Sequence, residues 1–153
     1  MTWLSDLFSN PFLLTALSSW AIAQILKVVI NAAVNHTLDI RRLFGDGGMP
    51  SGHSATVASL ATVSALVYGT ASFEFALAAI LAIIVCHDAM GVRLETGKQA
   101  ALLNDIVEAF NLLSTKDLPA EKLKEFVGHT PMQVCAGVLI GILNALTLHS
   151  LLF

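Results

Sequence analysis

The chain has 153 residues, 56% hydrophobic and 12% charged, with eight Lys and Arg against eleven Asp and Glu. Soluble globular domains carry about 25% charged residues, so a mean hydropathy of +0.75 describes a chain whose solvent is largely lipid. A net charge of −3 leaves no basic footprint for nucleic acid, and that class of partner is excluded.

A bilayer span needs about 20 predominantly apolar residues. Pro11 to Val34 supplies the first, interrupted by Lys27. His53 to about Thr70 supplies the second, Phe73 to Val92 the third with Asp88 in its last turns, and Thr130 to Phe153 the fourth. The leading "MTWLSDLFSN" has no positive residue ahead of the apolar region, which argues against a cleaved signal peptide. The expected class is all-α: an integral membrane bundle of about four transmembrane helices, forming one membrane domain over residues 1–153. A soluble helical bundle is the alternative.

Arg93 to Gly128 is the polar part of the chain. Within it Leu102, Leu103, Ile106, Val107, Phe110 and Leu113 recur at spacings of three and four, one apolar stripe on a helix. Lys98, Asp105 and Glu108 take the other side. The pattern fits an amphipathic insertion on the membrane surface or over the mouth of the bundle, and equally a solvated helix packed on its neighbours. "TKDLPAEKLKEF" reads as a turn and a short helix.

Four spans put the loops at 35–52 and 93–128 on one side. Arg41, Arg42, Arg93, Lys98, Lys116, Lys122 and Lys124 all fall there, and Lys27 lies in the first span nearer that end. The positive-inside rule makes this face cytoplasmic and places both termini outside.

The same face collects the polar residues of the spans. Lys27 is expected to reach the surface by snorkelling its stem. "PSGH" opens the second span, "DAMGVR" closes the third with Asp88 and Arg93, and "GHTPMQVCAG" opens the fourth with His129 and Gln133. Ionisable residues in a span are costly, so their convergence marks a functional site by default. Three cations (Lys27, Arg93 and Arg41 or Arg42) suit an oxyanion. Ser51 begins a helix whose free N–H groups favour an anion, and Gly52 allows close backbone approach. Thr130 and Pro131 repeat the device as N-cap and first helical residue. His53 and His129 then flank the anion, which suggests a nucleophile on one side and a general acid on the other. Cys86 and Cys135 are expected to be small buried hydrophobes, Gly137 and Gly141 to pack helices, and His87 and His149 to be structural.

These residues carry a resemblance. "AQILKV", "GGMPSGHSA", "DAMGVR", "GKQA", "LN" and "LKEFVGHTPMQV", in that order from Ala23 to Gly141, resemble a divergent branch of the type-2 phosphatidic acid phosphatase superfamily. That superfamily is related to acid phosphatases and vanadium haloperoxidases, with patterns KxxxxxxRP, PSGH and SRxxxxxHxxxDVxAG. The resemblance implies that Lys27, Ser51, Gly52 and Arg93 contact phosphate, that His53 protonates the leaving oxygen, and that His129 attacks phosphorus to form a phosphohistidine. It implies no metal and no other cofactor. Departures accompany it. Val34 stands where the first pattern has Arg, leaving Arg41 or Arg42 to substitute. Arg93 and His129 are 36 apart rather than six, and Gln133 replaces the acid that orients the nucleophile. Membrane relatives generally have six spans.

The reading is a cell-membrane, multi-pass phosphatase with a cytoplasmic active face, acting on a lipid phosphate or diphosphate among membrane lipids. Its site residues are His129, His53 and Gln133 for catalysis, Lys27, Ser51, Gly52, Arg93, Arg42 and Arg41 for phosphate, and Asp88 in support, either of the site or simply as a partner of Arg93. A non-catalytic lipid-phosphate binder or transport-type protein that keeps the anion pocket is the alternative, and a purely structural membrane subunit a third. The sequence is compatible with a homo-oligomer.

Overall fold

A computed structural model describes residues 3–36, 48–113, 122–123 and 128–152. The described residues form α1 (Trp3–Phe8), α2 (Pro11–Asn35), α3 (Gly52–Tyr68), α4 (Phe73–Met90), α5 (Val92–Leu113) and α6 (Pro131–Leu152). Arg41, Arg42, Lys116 and Lys124 lie outside the described residues, as does the "TKDLPAEKLKEF" segment apart from Lys122 and Leu123.

Local sequence explains the boundaries. Asn10 caps α2, its Oδ1 accepting from the N–H groups of Phe12 and Leu13, with Pro11 at the first helical position. Ser72 caps α4 by accepting from Phe75 N–H, and Ser51 caps α3 by accepting from Ser54 N–H. Gly69, at φ +83°, ends α3 where a side chain is disfavoured.

The four expected apolar stretches coincide with α2, α3, α4 and α6. By length and composition, α2, α6 and the run that begins with α4 can cross a membrane. The α3 helix has 17 residues, about 25 Å at ~1.5 Å per residue, and is shorter than the expected span to Thr70. It is the central helix, packed against α2, α4 and α6.

Packing decides between membrane and soluble bundle. The buried side chains are mostly small or hydroxylated: Ala16, Ala23, Ala55, Ala58, Thr15, Ser19, Ser54 and Ser59. The large ones, including Ile25, Leu77, Ile80, Ile83, Leu139 and Leu143, face outward. A water-soluble bundle buries its large apolar side chains. A bundle in lipid gains nothing from doing so and associates through small residues and polar contacts instead. Gly137 and Gly141 provide that approach: a Cβ on either would lie 2.3 Å from the carbonyl oxygen of Ser51 or Ala55 on α3. Asn144 of α6 adds hydrogen bonds to the Ser18 and Ser19 hydroxyls of α2 at 2.9 and 2.8 Å. Phe12 and Tyr68 stack at 5.2 Å where α2 begins and α3 ends.

One expectation fails here. Cys86 is half-buried and Cys135 exposed rather than buried, because α6 packs on α3 and α2 through its glycines, Val134, Asn144 and Ala145, and Cys135 is off that side.

Candidate active site

Two backbone hydrogen bonds assemble the site. Ser51 N–H donates to Gln133 O at 3.0 Å, tying the start of α3 to the first turn of α6. His129 N–H donates to Ala89 O at 3.0 Å, tying the approach to α6 to the last turn of α4. Gly128, at φ +90°, makes this docking possible. A Cβ there would lie 2.4 Å from Leu94 N and 2.6 Å from Arg93 C, so no larger residue fits the backbone of the α4–α5 junction. The 36-position separation of Arg93 and His129 is thereby closed in space.

The result is a cleft of about 220 Å³ lined by His53, Ile84, Val85, Asp88, Ala89, Arg93, Gly128 and His129. Its rim is polar. Ile84 and Val85 lie about one helical turn earlier in α4 and add an apolar wall, of which Ile84 is exposed on the outer surface of the bundle. His53 is exposed and His129 is 2% exposed, so the two imidazoles meet the cleft from unlike environments. Arg93 is held through Nε by Asp88 Oδ2 at 3.0 Å. That bond leaves the two Nη groups for other acceptors. Asp88 thus pairs with Arg93 as the sequence reading allowed.

Gln133 is oriented by a capping box. Gln133 N–H donates to Thr130 Oγ1 at 3.4 Å, while Gln133 Oε1 accepts from Thr130 N–H at 3.1 Å. A backbone N–H can only donate, so the amide oxygen must face it. The same oxygen lies 3.2 Å from His129 Nδ1. Nδ1 therefore carries the proton, and in the neutral ring Nε2 keeps its lone pair. His129, ahead of the α6 span, has its pKa held below the ordinary 6.5. Burial is the main cause. The Gln133 hydrogen bond works against it, and the charges of Lys27, His53 and Arg93 add to it.

Lys27 corrects an expectation. It does not snorkel into solvent: the residue is 3% exposed, and its stem passes Gly48, whose Cβ position would be 3.3 Å from Lys27 Cγ. It lines a separate cleft of about 150 Å³ with Ile30, Asn31, Val34, Asn35, Gly48 and Met49. Gly48 at φ +99° lies against the lysine stem, and Gln24, Lys27 and Asn31 share the buried stripe of α2. Its charge still reaches His129. Ser51 and Gly52 are both buried at the N-terminus of α3, the Ser51 hydroxyl accepting from Ser54 Oγ at 2.9 Å.

Thus His53, Arg93, Asp88 and His129 share one cleft, Gln133 stands behind it, and Lys27 lines a neighbouring one. Arg41 and Arg42 lie outside the described residues. Sequence reasoning missed two positions. Asn31, four residues after Lys27, was legible as a polar residue on the same face of an apolar helix. Gly128 was legible only as the glycine of "GHTP", and nothing in its neighbourhood names its partner across the chain.

Comparison with known proteins identifies relatives of the chain. A sequence profile described as the Divergent PAP2 family matches residues 8–144. The chain is 42% identical over 152 residues to the protein named "Uncharacterized membrane protein YuiD" of Bacillus subtilis (strain 168), covering 94% of this chain and 96% of that one. No solved structure matches.

Proposed function

This chain belongs to the Divergent PAP2 family, and on that premise we propose that it is a multi-pass membrane phosphatase hydrolysing a lipid phosphomonoester or diphosphate through a phosphohistidine. The observation that carries the reading is the convergence of His53, Arg93 and His129 on one cleft. The apolar Ile84 and Val85 below that polar rim favour an amphiphile over a soluble phosphate ester.

In this reading the Arg93 Nη groups receive the phosphate, and the positive end of the α3 dipole, buried at Ser51 and Gly52, adds positive potential from behind together with Lys27. His129 Nε2 attacks phosphorus. The P–O bond to the leaving group breaks, and His53 gives that oxygen a proton. Water then attacks the phosphohistidine, losing its proton to His53 and returning His129 to its starting form. The active face is cytoplasmic.

The test is phosphate release from lipid phosphates by the purified chain, with trapping of an acid-labile phosphoryl group. His129→Ala abolishes both signals, and His53→Ala lowers release. Arg93→Ala weakens vanadate binding by about 1.5–3 kcal/mol, the range for charge-assisted hydrogen bonds, and Lys27→Ala, acting through potential alone, weakens it less. Full release by His129→Ala overturns the assignment.

One observation favours a second reading. Gln133 is neutral, so it fixes the His129 tautomer without stabilising the cationic ring formed on attack. A lipid-phosphate binder that keeps the pocket with little turnover follows from that. Vanadate binding without phosphate release from any lipid phosphate distinguishes it.

A further inference from the structure

The α5 helix divides into three sectors. Gly97 and Ala100 are buried, and on the same side Asn104 grips the returning chain through two hydrogen bonds of 3.0 Å, Nδ2–H to Leu123 O and Leu123 N–H to Oδ1. This sector faces the protein. Lys98, Asp105 and Glu108 form a charged sector, Lys98 paired with Glu95 at 2.6 Å. The third sector is the apolar stripe. Leu102, Leu103, Ile106 and Phe110 are each 50–60% exposed, and Leu113 is 90% exposed. The stripe therefore does not cover the mouth of the bundle, since the packed side of α5 points another way.

The position of this helix selects what covers the stripe. Gly91 alone separates α5 from α4, with which a membrane-crossing run begins, and the chain returns to the same level where His129 N–H meets Ala89 O, two residues before the α6 span. Both ends of the insertion are thus pinned together at one end of the apolar helices, which in a membrane is the edge of the bilayer. A helix leaving that edge with one apolar and one charged side lowers its free energy by lying in the interface.

We propose that α5 is an in-plane interfacial helix whose Leu102–Leu103–Ile106–Phe110–Leu113 stripe is embedded at the headgroup–acyl boundary of the membrane that holds the bundle. Its partner is zwitterionic as readily as anionic lipid. The helix carries two cations (Arg93, Lys98) and three carboxylates (Glu95, Asp105, Glu108), so it has no basic face to prefer anionic headgroups. Because Arg93 is in its first turn and Gly128 docks on Arg93 and Leu94, seating α5 on the lipid also fixes the height of Arg93 at the membrane surface. The proposal holds whatever the cleft binds.

The test uses the full chain in phosphatidylcholine vesicles, with Cys86 and Cys135 replaced by Ala. An environment-sensitive fluorophore is attached to Leu103→Cys, Ile106→Cys, Phe110→Cys, Asp105→Cys or Glu108→Cys, all at exposed positions. Quenchers carried on lipid chains should act several-fold more strongly at 103, 106 and 110 than at 105 and 108. Aqueous iodide should show the reverse order, and adding phosphatidylglycerol should leave both unchanged. The unmodified chain gives an independent readout, since a diazirine on the acyl chain should label the stripe and spare Lys98, Asp105 and Glu108. Equal iodide access at both sets of positions overturns the proposal. So does protection from both quenchers with probe–probe self-quenching, which would make a second copy the occupant, and so does a marked gain with anionic lipid.

Discussion

The side-chain oxygen of Gln133 lies 3.2 Å from Nδ1 of His129 while accepting the Thr130 N–H at 3.1 Å. A Gln amide by itself can turn either end toward a histidine, and the NH₂ end would select the wrong tautomer for attack through Nε2. Here the backbone donor of the capping box removes that freedom.

Gln133→Glu preserves the length and both acceptor contacts and adds a negative charge beside the ring. Phosphate release should rise and the pKa of His129 should move up. Asp is a poorer replacement, because the shorter side chain cannot serve both donors. Gln133→Ala frees the ring and should lower release by about two orders of magnitude, within the range contributed by a positioned acid or base. NMR of the His129 ring nitrogens reports the tautomer directly. If the alanine variant retains both the tautomer and the rate, Gln133 positions nothing.

The lowered pKa of His129 sets a pH dependence of known sign. The unfolded chain takes up a proton on this histidine near pH 6.5, whereas the folded chain does so only at lower pH. Stability from this group is complete above 6.5, declines as the pH falls from 6.5 through the folded value, and then levels off. Thermal midpoints measured from pH 8 to pH 4 should fall through that window in the native chain. His129→Asn should flatten it. The acid limb of phosphate release should likewise lie below 6.5 and move up in Gln133→Glu.

Gly128→Ala should separate His129 from Arg93. The new Cβ meets backbone atoms at 2.4–2.6 Å, and the residue holds φ at +90°. Positive φ and overpacking each cost about 1–3 kcal/mol, so a loss of about 2–6 kcal/mol in stability is expected, with vanadate binding lost as well. Gly141→Ala meets Ala55 O at 2.3 Å, deeper in the bundle. It should reduce thermal stability while disturbing anion binding less. Equal effects of the two variants on binding would show that Gly128 acts through global stability alone.

The proposed cytoplasmic placement of the cleft predicts the accessibility of Lys122. This exposed residue lies beside Leu123, the residue gripped by Asn104. A cysteine at 122, in a chain lacking its native cysteines, should resist a membrane-impermeant maleimide in intact cells and react after permeabilisation. Labelling in intact cells reverses the orientation of the whole bundle.

Several features of the molecule are local and were legible in the residues themselves. Hydropathy depends on composition over one helix length, so the apolar stretches mark α2, α3, α4 and α6 within a few residues. Ser51 and Thr130 act through bonds that span three residues, and Pro131 through its own fixed φ, so the helix starts were legible too. The convergence of Lys27, His53, Arg93 and His129 on one side followed from counting spans.

What the tertiary structure decided is non-local. Arg93 meets His129 through a bond between two backbone groups, His129 N–H and Ala89 O, and backbone groups carry no residue identity for a sequence to display. Lys27 is covered because Gly48 lies against its stem, a contact between segments with no shared periodicity. The stripe on α5 was plain as a pattern, but its direction depends on which other side the protein occupies. Asn104 and Gly97 settle that by turning inward. A period of 3.6 gives a helix its faces; only packing against another part of the chain assigns each face its neighbour.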